Sequence, residues 1–198
     1  MLFRSIVLAL VVLLPLMPVH APAQQDFPNR PVRIVVPFAA GGSTDVVARL
    51  LADRLAEAFG RQVVVENRPG AGSIIGADSV AKAAPDGHTL VISSTSSIAP
   101  VPLMRASMPY DPLKDFAHLA LIGTFANGVL VRADSPLRSM RDVLDAARST
   151  PGRLTYATVG VGSSGYLTGE LLKRRAGIDI VHVPYKGAGL AVIDLIGG

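Results

Sequence analysis

Pro31-Val32-Arg33-Ile34-Val35-Val36-Pro37-Phe38-Ala39-Ala40-Gly41-Gly42-Ser43-Thr44-Asp45 places a β-branched apolar run, a proline-bounded glycine turn and a helix start in immediate succession. Beyond it, Val47, Leu51, Leu55 and Ala58 recur on one helical face, flanked by Ala48 and Ala52. Arg49, Asp53, Arg54 and Glu57 fall elsewhere on the wheel. Ser43 or Thr44 can accept from the free amides at the helix start, and Gly60 can end it. The same strand-turn-helix unit follows at Val63-Val64-Val65, at residues 154–159 and at residues 180–183. Strands alternating with helical patterns predict βαβ units and parallel sheets.

Further strands are expected near residues 119–122 and 129–132. The proline-rich stretch 97–116 reads as irregular. A helix from Ser139, with Asp142 placed for a capping box, is expected to bury Met140, Val143, Leu144 and Ala147 and to stop at Pro151-Gly152. The pattern divides into two lobes, each with a mostly parallel sheet flanked by helices. Residues 24–125 form the first lobe and residues 126–198 the second, with a hinge near residues 123–128, where two glycines and Asn127 stand. The last helical pattern ends at Gly197-Gly198 without the strand a doubly wound sheet would supply next, so the second lobe reads as truncated.

The first residues read as an export signal. Arg4 gives a positive start, residues 6–17 are apolar apart from Pro15, and Ala21-Pro22-Ala23 offers small residues for cleavage after Ala23. That apolar stretch is short for a membrane span. An exported, periplasmic product is expected. The chain lacks Cys, which excludes disulfides and thiolate metal sites. Nineteen Lys and Arg against 15 Asp and Glu give a net charge of +4. The dense run Lys173-Arg174-Arg175 sits at a helix end, where the dipole accounts for it. No basic stripe with interleaved aromatics points to nucleic acid.

Glycine- and hydroxyl-rich turns recur where strands give way to helices: residues 37–45, 69–73, 93–97 and 160–165. The first amides of a helix lack intrahelical acceptors and sit at the positive end of the dipole. Glycine lets a ligand approach them closely, and hydroxyls add donors. Each turn by itself is also ordinary capping chemistry. Taken together, opposed across two lobes, they predict a cleft for a small anion. Phe38 reads as a wall because glycines follow it. Tyr185 reads as wall or core, and Lys186 as a carboxylate partner or a solvated charge.

Enzyme readings find less support. Gly160-x-Gly162-x-x-Gly165 matches a dinucleotide fingerprint, but Asp179 precedes the next strand rather than ending it. No Gly-x-Ser-x-Gly elbow occurs. His88, His118 and His182 have no metal-ligand spacing. No cofactor is expected.

The run 31–45 quoted above, with Glu66-Asn67-Arg68-Pro69-Gly70-Ala71-Gly72, resembles the Bug family of tripartite tricarboxylate transporter substrate-binding proteins. Tyr110-Asp111-Pro112-Leu113-Lys114-Asp115-Phe116 fits the same family, as does His182-Val183-Pro184-Tyr185-Lys186-Gly187 with residues 194–198 after it. The resemblance implies a type II periplasmic binding protein, a monomer that closes on a small organic carboxylate and delivers it to a membrane permease without chemistry. It implies ligand contacts at Phe38, Ala40, Gly41, Gly42, Ser43, Thr44, Asp45, Ser94, Thr95, Gly162, Ser163, Ser164, Tyr166 and Tyr185. Tyr166 stands where the family often has His. Family members continue past the Gly-Gly, so a non-functional fragment is the alternative expectation, with a dinucleotide-binding oxidoreductase as the other.

Overall fold

A computed structural model describes residues 27–198. The expected signal segment, residues 1–23, lies outside the described residues. Two parallel sheets form the framework. In the first, β1 (Val32–Val36) lies between β2 (Val63–Asn67) and β3 (Thr89–Val91), giving the order β2-β1-β3. Val32 pairs with Val63, and Arg33 with both Val64 and Thr89. In the second, β4 (Thr155–Thr158) pairs with β5 (Val181–Pro184), Thr155 opposite Val181. The strand-turn-helix pattern is therefore realised as parallel pairs with helical crossovers.

Helix α1 (Ser43–Phe59) packs on β1 and β2, and α2 (Ile74–Ala81) on β1 and β3. Coverage on both faces explains why β1 is an almost unbroken aliphatic run: Ile34, Val35 and Val36 are all fully buried. Ile34, Val36, Phe38, Ala48 and Ala52 form the first core, with Leu55, Val63, Val65 and Leu90 packed around it.

The buried face of α1 differs from the expected one by one position. Asp45, Ala48 and Ala52 face the sheet, while Val47 is exposed and Leu50 is 63% exposed. The small alanines let the helix axis approach the sheet closely, and apolar residues run most of the way round this helix. Its cap also differs. Gly42 occupies the N-cap and neither Ser43 nor Thr44 caps the helix; the Asp45 carboxylate instead accepts from the Gly41 amide at 2.9 Å. The helix ends at Gly60, as expected.

A short α3 (Pro100–Leu103) follows a 3-10 turn at Thr95–Ser97. Next to the second sheet stand α4 (Met140–Ser149), α5 (Ser164–Ala176) and α6 (Ala188–Gly197). The expected capping box opens α4: the Ser139 hydroxyl accepts from the Asp142 amide, and the Asp142 carboxylate accepts from the Ser139 amide. Ala147 is buried with Ile178 and Ile180, whereas Met140, expected in the core, is exposed. Lys173, Arg174 and Arg175 occupy the last turn of α5, as the dipole argument requires.

The strands expected near 119–122 and 129–132 do not form. Residues 116–132 carry no helix or strand, and Leu119, Leu121 and Leu130 are at least 70% exposed. A strand exists only where a neighbour takes up its N–H and C=O groups, and among the described residues none lies beside this segment. The lobe boundary expected at 125–126 falls inside it.

The cores set a stability contrast. Ile34→Ala is expected to cost about 3 kcal/mol of unfolding free energy, and Leu50→Ala less than about 0.5 kcal/mol. Urea denaturation of both variants checks this, and comparable losses would show that α1 does not seat as described.

Candidate functional site

Each lobe sends its strand-to-helix loops toward the other. The loop after β1 carries Pro37 and Phe38, the loop after β2 residues 70–73, the loop after β4 residues 159–162, and the loop after β5 residues 184–186. Together with Val101, Met104 and Arg105 they enclose a cavity of about 510 Å³. This is where open α/β sheets place ligands, beyond the carboxyl ends of their strands.

Contacts between the lobes are made largely by main chain. The Ala39 amide donates to the Lys186 carbonyl at 2.9 Å. Gly72, at φ +66°, lies so near the facing loop that a Cβ there would stand 2.7 Å from the Val161 carbonyl oxygen. Gly162, at φ +84°, leaves no room for a Cβ beside the Val101 side chain. The start of α6 rests against the first loop, where a Cβ at Gly189 would be 3.6 Å from the carbonyl oxygens of Ala40 and Gly41.

Of the residues expected in the cleft, Phe38, Gly162 and Tyr185 line the cavity. Phe38 is also core, packed with Ile34 and Ala48. The Tyr185 hydroxyl donates to Asp194 at 2.7 Å. Ala40, Gly41 and Gly42 stand in the turn behind Phe38 and Ser43 and Thr44 begin α1, all outside the cavity wall, and the first two meet α6. Ser163 caps α5: its hydroxyl donates to the Gly160 carbonyl at 2.7 Å and accepts from the Tyr166 amide at 3.2 Å. The Ser164 hydroxyl donates to Asn127 on the irregular segment. The Tyr166 ring packs on His182, with centroids 4.8 Å apart. His182 itself reaches Thr158 Oγ1 at 2.8 Å, and burial lowers its pKa. The hydroxyls of residues 93–97 are taken up within their own turn, Ser93 with Ser97 and Ser94 with Ser96, and Thr95 is exposed.

Asp45 holds the first loop in place. Buried, it accepts from the Gly41 amide, from Asn67 Nδ2 at 2.8 Å, and from both Arg49 Nε and Nη2. Asn67 Nδ2 also donates to the Phe38 carbonyl at 3.1 Å, tying the loop to the end of β2. Burial by itself would raise the Asp45 carboxyl, but the bonds from Arg49, Gly41 and Asn67, with the Arg49 charge, hold it down at about 2. It is a positioning group, and nothing aims it into the cavity.

Sequence reasoning left Val101, Met104 and Arg105 out of the wall, because they sit in a proline-rich stretch whose place only tertiary packing determines. It also left Ser73 out of the site, although the turn at 69–73 was marked. Ser73 lines the cavity at φ +82°, and its buried hydroxyl has no partner among the described residues.

Two outcomes follow for stability. Asp45→Ala leaves the Gly41 amide, Asn67 and Arg49 without their acceptor, and a loss of about 2–3 kcal/mol is expected at neutral pH. The ionised Asp45 contributes on the order of 2 kcal/mol above its unfolded value of about 3.9. That contribution falls away as pH drops toward the folded value of about 2. Chemical denaturation from pH 7 to 2 should show the wild-type and variant curves converging at acid pH, and parallel curves would refute the assignment. Ser73→Gly removes a left-handed serine and an unpaired hydroxyl, and a gain of about 1 kcal/mol is expected in the same assay.

The description "Tripartite tricarboxylate transporter family receptor" belongs to the family, TctC, whose model matches residues 47–198. The chain is 41% identical to BugT of Bordetella pertussis over 182 residues, covering 91% of this chain and 56% of BugT. Among solved structures it is similar to Rpa4515 of R. palustris with adipate, at 40% identity and a TM-score of 0.82, over 86% of this chain and 57% of that one. MatC of Rhodopseudomonas palustris, with bound malate, aligns at 35% identity and a TM-score of 0.75, over 85% and 57%. The chain spans little more than half the length of these relatives. The Bug resemblance read from residues 31–45 and 182–187 agrees with them, and the dinucleotide reading of residues 160–165 gives way. Matched by that family model over residues 47–198, the chain belongs to the TctC family of tripartite tricarboxylate transporter receptors.

Proposed function

We propose that this chain captures a small organic carboxylate in the cleft between its two sheets and presents it to the membrane subunits of a tripartite transporter. The observation that carries the reading is the cavity itself. Glycine-rich main chain from opposite lobes, residues 70–73 and 160–162, faces a shared space whose walls carry no carboxylate. Such a space favours an anion and offers it main-chain donors. Relatives of similar fold hold adipate and malate, which supports the ligand class. The export signal over residues 1–23, with cleavage after Ala23, and a periplasmic location belong to the same reading. So does action as a monomer without a cofactor. Among the described residues no helix is long and apolar enough to cross a membrane, which accords with a receptor that hands its ligand to separate membrane subunits.

A thermal-shift panel of mono-, di- and tricarboxylates on the purified chain tests the proposal. A ligand at about a hundredfold over its Kd should add about 2.7 kcal/mol of stability, a shift of several degrees. Stabilisation by a nicotinamide dinucleotide and by no organic acid would overturn it. Gly72→Ala supplies the geometric test. The new methyl group meets the Val161 carbonyl and holds the lobes apart, so affinity for the best acid should fall by about tenfold or more. Unchanged affinity would mean that the ligand does not need this closure.

A further inference from the structure

We infer that Arg105 is a specificity-determining residue that captures a second carboxylate, so that the preferred acid is a dicarboxylate with an apolar linker. This rests on the carboxylate-receptor reading above and deepens it.

Arg105 and Lys186 are the charged residues in the cavity wall, and both are cations. Arg49 and Arg68, beside the loops after β1 and β2, pair with Asp45 and Glu66. Arg105 has no carboxylate partner among the described residues and stands exposed at the wall. Its place relative to the glycine loops matters. Val101 touches both of them, at Gly72 and at Gly162, and the chain runs from there through Met104 to Arg105. The wall thus passes from the glycine loops, across the apolar Val101 and Met104, to Arg105, a cation with no acid partner among the described residues.

That order matches an acid with a charge at each end. Main-chain donors can take the first carboxylate. A second one drawn into the cleft loses hydration and needs a compensating charge. A guanidinium offers a two-pronged, charge-assisted bond that a lysine ammonium cannot reproduce. A monocarboxylate of the same length meets Arg105 with a methyl group and gains nothing from it.

The test is calorimetric titration of the chain with length-matched pairs, butyrate against succinate and hexanoate against adipate. The wild type and the Arg105→Gln and Lys186→Gln variants are compared at low and high salt. In the wild type, the better-fitting diacid should bind about tenfold tighter than its monoacid. That preference should shrink with added salt. Arg105→Gln should remove it by weakening the diacid far more than the monoacid, and continued binding of the monoacid shows that the variant is folded. The inference is overturned if the preference survives in Arg105→Gln, if it disappears in Lys186→Gln instead, or if the wild type shows none. Equal binding of mono- and diacids by all three proteins would overturn it while leaving the receptor reading intact. Binding of no acid at all would overturn both.

Discussion

The Asp45 carboxylate, buried where α1 begins, accepts from a loop amide, a strand-end asparagine and a guanidinium at once. What it holds is the turn that meets the second sheet. Through Asn67 it reaches the Phe38 carbonyl, so the cavity wall, the end of β2 and the first turn of α1 are fixed by one ionised group. An ion pair at an exposed site contributes little. Here the acid is almost wholly enclosed, and its bonds join the Gly41 amide to Asn67 and Arg49. The loop is thereby ready for the opposite lobe before any ligand arrives.

Contact with that lobe is made largely by backbone, with the Val159 side chain packed beside it on the first core. The Ala39 amide and the Lys186 carbonyl meet directly, and glycines stand at the points of nearest approach. At Gly72 a side chain would strike the Val161 carbonyl, which cannot move without its whole loop. The distance between the sheets is thus set by peptide groups, whose dimensions do not vary with sequence. A cleft gauged in this way has a defined width.

The framework was legible in the sequence because its signals are local. Residues 32–36 are β-branched and apolar, the glycines of 41–42 announce a turn, and Ser139 with Asp142 announces a helix start. The errors arose where local signals are indifferent to context. Leu119 to Ile122 are apolar enough for a strand, yet a ladder needs a neighbour and none stands there. The α1 face was misjudged by one position because alanine and leucine count alike in an apolar pattern, whereas close packing selects alanine. Ser94 and Thr95 have the composition of ligand donors, but the hydroxyls of this turn are engaged with one another or face solvent. Met104 and Arg105 have no periodic signal, and only the folding of residues 97–116 over the cavity brings them to its wall.

The glycines that gauge the cleft and the side chains that colour it occupy different stretches of chain. Residues 72 and 162, with Val101 against both, govern how closely the halves meet, while 104 and 105 follow a short helix. Changes in the second group alter the chemistry offered to a guest without disturbing the fit of the two halves. A lineage built on this plan can therefore change what its cleft accepts by substitutions in a single small segment, keeping the fit of the halves as it was.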